Sequence, residues 1–181
     1  MSRANFASEG IVLARKNYSE ADKILRVLSR KHGKISLLAK GVRRPKSRKR
    51  AYIEIFNRIN FSAASSKGMN IITEVEIIDT FSDFKKNLKK VALAYFFVEI
   101  VDKVIREGEK NEEIYNILLS FLNKLRSNES LKKIRREFVL NTLVSLGFWP
   151  KEKPHSNPDE LLEEVLEYPQ NSMIVGKKLF S

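Results

Sequence analysis

The chain contains no cysteine among its 181 residues, so disulfide bonds and thiolate metal ligands are excluded. It contains two histidines, His32 and His155, which are 123 positions apart along the chain. We interpret the first as a hairpin residue and the second as a loop residue, because they are far apart and no cysteine could join them in a metal site. We therefore expect no metal site and no cofactor.

Long apolar runs are also absent. The longest candidate, Val91–Val98, has Lys89 and Lys90 on one side and Glu99 on the other. It is far shorter than the roughly 20 residues that a membrane helix requires. The N-terminal residues MSRANFASEG lack the apolar core of a secretory signal. We expect a soluble cytoplasmic protein with no membrane partner.

Patterns typical of enzymes are missing as well, since neither GxxxxGK[ST] nor GxGxxG occurs. No serine or histidine is placed as a nucleophile and its base. Glu74 and Glu76 stand two positions apart, which would put them on one face of a strand, as a catalytic or metal-binding pair requires. A solvated strand face explains the same pattern and is the favoured interpretation. We expect no enzymatic activity.

Positive charge is abundant and unevenly distributed. The chain has 34 Lys and Arg against 22 Asp and Glu, a net charge of +12. Residues 1–80 have 17 basic against 7 acidic residues, a net of +10, and residues 81–181 have 17 against 15, a net of +2. This asymmetry indicates that the first part meets an anion and that the second part has another task.

The first 80 residues show the alternation and the turn residues of β-structure. The turns include the polar segment Tyr18–Asp22 and a tight hairpin at His32-Gly33. Five short strands joined in this way are typical of a five-stranded β-barrel of the OB type. The predicted strands are Gly10–Arg15, Lys23–Arg30, Lys34–Lys40, Tyr52–Phe61 and Met69–Asp79.

After Asp79 the apolar period changes from two to about 3.6. This pattern predicts a largely buried helix at Lys89–Glu107 and a second helix capped by Asn111. A third helix begins after Ser130 and ends before Gly147, and a short fourth helix begins at Asn157-Pro158. The predicted fold class is α+β, with an OB-type barrel at residues 1–80 and an α-helical domain at residues 81–181.

The densest charge follows the third predicted strand. Between Lys40 and Arg50 (KGVRRPKSRKR), seven of the eleven residues are basic and none is acidic. A run of this density repels itself, which favours a nucleic-acid backbone as its partner, although a solvated basic loop remains the alternative. The basic residues are Lys40, Arg43, Arg44, Lys46, Arg48, Lys49 and Arg50.

Further residues of the barrel could contribute to the same site. Arg15 and Lys34 add positive charge, and three aromatic residues, Tyr18, Tyr52 and Phe56, could point outward. Bases that stack on such rings give sequence-tolerant binding of single strands, although core packing is the commoner fate of each ring taken alone. The candidate DNA-binding set is Arg15, Lys34, Tyr52, Phe56 and the seven basic residues of the run.

The segment from Glu9 to Arg48 closely resembles the N-terminal region of the RecO family of bacterial recombination mediators. The resemblance rests on GIVL at Gly10–Leu13, on the Tyr18/Glu20/Asp22/Ile24 pattern, on His32-Gly33-Lys34 and on GVRRPKS at Gly41–Ser47. It continues more weakly through Ala92–Asp102 and Arg136–Pro150. In all, it covers about three quarters of the chain.

The resemblance implies an OB barrel followed by a helical domain, and it implies a function in DNA repair. Proteins of the family bind single- and double-stranded DNA, anneal complementary strands and, with the partner RecR, help to load recombinase. They contact the C-terminal tail of single-strand-binding protein through the helical domain. By position, Lys34, Lys40, Arg43, Arg44, Lys46 and Arg48 become candidates for contacts with the DNA backbone. A location at the bacterial nucleoid follows from the same resemblance.

One departure from the family pattern concerns the four-cysteine zinc module that many members carry after a Leu-Gly-aromatic-x-Pro stretch. Here that stretch is Leu146–Pro150, and no cysteine follows it. We expect the zinc module to be missing, which leaves the partner contacts of the second half open. The alternative function is a basic adaptor that binds RNA or nucleic acid non-specifically. Its helical domain would bind protein partners near Lys132, Lys133, Arg135 and Arg136.

Overall fold

The computed structural model describes residues 5–44, 47, 51–149 and 157–166. These residues form two compact units. The first contains the chain through Thr80 together with Ile105–Glu112, and the second contains Phe81–Val104 and the chain from Glu113 onward. The return of residues 105–112 to the first unit is not visible in the sequence pattern.

The first unit is a closed barrel of five strands, paired in the order β1-β2-β3-β5-β4. The long first strand closes it, because its first half pairs with β4 and its second half with β2. A β-bulge between Val12 and Ala14 adds the local twist that closure requires. The strands are β1 at Asn5–Asn17, β2 at Lys23–Ser29, β3 at Gly33–Ala39, β4 at Arg58–Ala64 and β5 at Asn70–Asp79.

Alternate residues of these strands fill the barrel. Val12, Leu25, Leu37, Ile59 and Phe61 are almost completely buried in one cluster, which also receives Val42 and Ile53 from the loops. The hairpin predicted at His32-Gly33 is confirmed: Ser29 pairs with Gly33, whose φ of 71° suits glycine. The predicted five-stranded barrel followed by helices is confirmed.

The predicted strand Tyr52–Phe61 is wrong in its first half, because β4 begins only at Arg58. Residues 51–57 turn across the bulge of β1. There the Phe56 N–H donates to the Val12 carbonyl at 2.9 Å, and the Val12 N–H donates to the Asn57 carbonyl at 3.0 Å. Phe56 has a φ of 76° and is 3% exposed, so the expectation that its ring points outward is wrong.

Residues 105–109 cover the free edge of β3. The Lys34 N–H donates to the Glu109 carbonyl at 3.3 Å, and the Gly108 N–H donates to the Lys34 carbonyl at 2.7 Å. The Ser36 N–H donates to the Glu107 carboxylate at 2.7 Å. The covering segment leaves Lys34 only 8% exposed, so its predicted position as an accessible cation is wrong.

The second unit is helical. A short 3₁₀ helix at Ser82–Phe84 precedes α1 at Leu88–Val104, α2 at Glu112–Lys124, α3 at Leu131–Ser145 and α4 at Pro158–Val165. The predicted helix Lys89–Glu107 is therefore three residues too long at its C-terminal end. Four rings form the centre of the unit, namely Phe96, Phe97, Phe121 and Phe138. No helix in the described ranges is long and apolar enough to cross a membrane.

The last helix of the unit is held at its N-terminal end. The Asn157 side chain caps α4 by accepting a hydrogen bond of 3.1 Å from the Asp159 N–H. Arg135 of α3 donates to the Asp159 carboxylate at 2.8 Å, and its guanidinium lies 4.7 Å from the centre of the Phe96 ring. The predicted start at Asn157-Pro158 is confirmed.

Candidate nucleic-acid interface

The basic loop, defined here as Lys40–Arg44, follows β3 directly. Lys40, Arg43 and Arg44 are exposed, whereas Val42 between them is buried and packs into the barrel core. The buried Val42 thus anchors the loop to the barrel, and the cations on either side of it face solvent. Four residues of the predicted set, Lys46, Arg48, Lys49 and Arg50, lie outside the described residues.

The basic loop is bound to the β1–β2 turn, defined here as Tyr18–Asp22. The Gly41 N–H donates to the Asp22 carboxylate at 2.8 Å, and the Arg43 N–H donates to the Ala21 carbonyl at 2.9 Å. The φ of Gly41 is 70°, which glycine adopts without strain. These bonds fix the loop backbone against the barrel, so its cations are positioned before any ligand arrives.

A third contact joins the two segments through a side chain. Arg43 donates from Nη1 to the Ser19 carbonyl at 2.6 Å. A guanidinium has five N–H donors and stays charged, so this bond orients Arg43 without removing its positive charge. The acidic residues of the turn are Glu20, which is exposed, and Asp22, which holds Gly41.

The outer face of the barrel beside the turn carries more positive charge. Lys16 of β1 and Arg26 of β2 are exposed and line a groove of about 190 Å³. Arg15 lines the same groove, and its guanidinium is paired with the Glu54 carboxylate. Arg15, which belongs to the predicted set, is thus partly neutralised. Lys16 and Arg26 were not predicted.

Six of the predicted residues fall into three groups by their exposure. Lys40, Arg43 and Arg44 come together and are exposed, whereas Lys34 and Phe56 are buried. Tyr52 is half-buried beside Asn57, whose amide nitrogen lies 3.4 Å from the Tyr52 carbonyl. One of the two residues that sequence reasoning missed has a signal in the sequence, because Arg26 is the only charged residue of β2 apart from Lys23 at its start.

The acidic pair of β5 lies on another part of the barrel. Glu74 and Glu76 are exposed, and with Arg30, Lys31 and Lys110 they line a broad cleft of about 950 Å³. Ser62 lies 3.5 Å from the Glu74 carboxylate. Within the described ranges, no group of three or more histidine or acidic side chains is arranged to hold a metal ion.

The helical unit has a basic concavity of its own. Lys132, Lys133 and Arg136 of α3 line a cleft of about 510 Å³ together with Leu140 and the acidic Glu137. Lys132 and Arg136 are exposed and lie one helical turn apart. The α3 cleft therefore combines positive charge with an apolar contact.

A closed five-stranded barrel with a basic loop, followed in the described residues by a helical unit, defines a protein of the OB-barrel class with a helical domain. Two family models match the chain: Recombination protein O N terminal over residues 1–81 and Recombination protein O C terminal over residues 85–157. The chain belongs to the RecO family.

Similar proteins bear the name DNA repair protein RecO. The chain is 35% identical to that of Moorella thermoacetica over 146 residues, which are 81% of this chain and 54% of the relative. It is 32% identical to that of Pelotomaculum thermopropionicum over 145 residues, 80% of this chain and 56% of the relative. The chain thus spans a little over half the length of these relatives.

Proposed function

We propose that this protein binds DNA through the basic loop and acts in DNA repair by homologous recombination. In this proposal it anneals complementary strands at the nucleoid and helps to load a recombinase onto single-stranded DNA. The observation that carries the proposal is the attachment of Lys40–Arg44 to the β1–β2 turn by three hydrogen bonds. The name DNA repair protein RecO, borne by the similar proteins, supports it.

The mechanism proposed here is electrostatic and contains no catalytic step. Lys40, Arg43 and Arg44 hold phosphates of single- or double-stranded DNA, and each neutralised phosphate releases condensed counterions. Because the loop is already fixed to the barrel, little conformational entropy is lost on binding. Cations between two complementary strands also lower their mutual repulsion, which favours annealing.

The salt dependence of binding tests the electrostatic part. If about five phosphates are neutralised, the logarithm of affinity for a labelled oligo-dT falls with the logarithm of salt concentration at a slope of roughly −3.5. Fluorescence anisotropy at several salt concentrations gives this slope. A slope near zero would mean that phosphate contacts do not drive binding.

The charge of the loop is tested by Arg44→Glu, since the Arg44 side chain is exposed. The matched control is Lys31→Glu, the same charge reversal at an exposed position of the β2–β3 hairpin. Strands β2 and β3 have seven residues each, so Lys31 lies roughly 20 Å from the basic loop. Arg44→Glu should weaken DNA binding much more than Lys31→Glu, and equal effects would reject the loop as the site.

Protein partners form the second part of the proposal. A RecR-like mediator is one, and the C-terminal tail of single-strand-binding protein is the other, for which the α3 cleft is a candidate site. A peptide with that tail sequence should bind the wild type and lose affinity with Lys132→Glu and Arg136→Glu. Lys86→Glu should leave the affinity unchanged, because Lys86 is exposed, precedes α1 and does not line the α3 cleft. Peptide binding without any DNA binding would instead favour the basic adaptor, the second candidate function.

A further inference from the structure

Tyr18 is the most exposed aromatic residue in the described part of the chain, with 62% of its surface accessible. It directly follows β1 and opens the β1–β2 turn. Single exposed rings are common on protein surfaces, so exposure alone has no functional meaning. What distinguishes Tyr18 is that its backbone is hydrogen-bonded within a turn that also holds the basic loop.

The backbone of Tyr18 is fixed within the turn. The Tyr18 N–H donates to the Asp22 carbonyl at 3.1 Å, while the carboxylate of the same Asp22 holds the Gly41 N–H of the basic loop. The carbonyl of the next residue, Ser19, accepts a hydrogen bond of 2.6 Å from the Arg43 guanidinium. The residue that carries the exposed ring is therefore adjacent in sequence to Ser19, whose carbonyl binds a cation of the basic loop.

This arrangement combines the two elements that single-strand binding requires, fixed cations for the backbone and an exposed ring for a base. We propose that Tyr18 is a stacking site for an unpaired nucleobase and that it makes the basic loop selective for single strands. A strand with phosphates at Arg43 and Arg44 brings a base within reach of the ring. The inference rests on the proposed DNA-binding function and adds strand selectivity to it.

The selectivity has a simple physical origin. In the interior of a duplex, the faces of each base are covered by the neighbouring base pairs, so no face is available there to Tyr18. In a single strand the faces can open, and one stacked base changes affinity by about 5- to 150-fold. Duplex DNA should therefore use the cations alone, whereas single-stranded DNA should use the cations and the ring.

The test compares Tyr18→Leu, which keeps an apolar side chain without a π-face, with Tyr18→Phe, which keeps the ring. Anisotropy is measured with oligo-dT, a blunt duplex of equal length and an abasic oligonucleotide. Tyr18→Leu should weaken oligo-dT binding about 5- to 150-fold and change the other two less than about twofold. Tyr18→Phe should bind all three like the wild type. Thermal unfolding monitors the fold, and an unchanged melting curve is expected because the hydrogen bond of Tyr18 uses its backbone.

Two results overturn the inference, namely oligo-dT binding by Tyr18→Leu at the wild-type level, or an equal loss on duplex and abasic DNA. Arg44→Glu separates this failure from failure of the proposed function. If Arg44→Glu weakens binding to all three DNAs while Tyr18→Leu changes none, the basic loop binds DNA and only the stacking site is rejected. If Arg44→Glu also leaves every affinity unchanged, both proposals are rejected together.

Discussion

The Asp22 carboxylate accepts a hydrogen bond of 2.8 Å from the backbone N–H of Gly41. This bond joins the β1–β2 turn to the basic loop, although the two residues are 19 positions apart in the sequence. An ionised acceptor makes the bond stronger than one between neutral groups. Asp22 of the turn thus orders the basic loop by binding its backbone.

Removing the Asp22 carboxylate should therefore loosen the basic loop. Asp22→Ala leaves the Gly41 N–H without its acceptor and should lower the free energy of unfolding of the barrel by about 1.5 kcal/mol. Asp22→Asn keeps a carbonyl oxygen at the same place and should cost less. Urea unfolding measures the stability, and hydrogen exchange at Gly41 reports the local opening. Wild-type exchange at Gly41 in Asp22→Ala would contradict this role.

Two glycines with the same backbone conformation should respond very differently to alanine. A Cβ at Gly33 would lie 2.0 Å from the Glu109 carbonyl oxygen, whereas a Cβ at Gly108 would have no atom within 4 Å. Both have φ above 70°, so the conformational cost of about 1–2 kcal/mol is shared. Gly108→Ala should cost little beyond that, and Gly33→Ala about 3 kcal/mol or more because backbone must move. Equal losses in urea unfolding would contradict the tight contact between β3 and residues 105–109.

Periodicity predicts the barrel strands because one face of each strand is buried. In β2, the buried residues Leu25 and Val27 alternate with Ile24 and the exposed Arg26, and glycine marks the hairpin after it. The exposed loop cations follow from composition, since charged side chains are rarely buried unless paired. These features depend on neighbouring residues and can be read locally.

The remaining features depend on contacts between distant segments. The alternation of Ile53, Ile55 and Ile59 imitates a strand, but the residues before Arg58 bond to the bulge of β1 at Val12 instead. Lys34 is buried because residues 105–109, far along the chain, cover β3. Neither partner is visible from local spacing, which is why Phe56 and Lys34 were wrongly expected to be accessible.

The aromatic centre of the helical unit should dominate the stability of that unit. Phe138 is completely buried, with its ring centre 4.1 Å from that of Phe97 and 5.4 Å from that of Phe121. Phe138→Ala should cost about 3–5 kcal/mol, because it removes a large side chain and leaves a cavity. Phe148→Ala is the control, since Phe148 is 52% exposed and should cost less than about 1 kcal/mol. Helical circular dichroism during urea unfolding measures both, and similar losses would argue against this centre.

The ion pair between Lys124 and Glu137 should make the stability of the helical unit depend on pH. The Lys124 ammonium lies 2.7 Å from the Glu137 carboxylate, and this hydrogen bond is the main cause that lowers the pKa of Glu137 below 4.5. A carboxyl with a lowered pKa in the folded state stabilises the fold above its unfolded pKa, and this stabilisation is lost as pH falls through the lowered value.

A double-mutant cycle with Lys124→Met and Glu137→Gln should give a coupling below about 1 kcal/mol at pH 7, because the pair is partly exposed. The coupling should decline below about pH 4.5 and approach zero once Glu137 is protonated, and a coupling of equal size at pH 7 and pH 3 would show that it is not electrostatic.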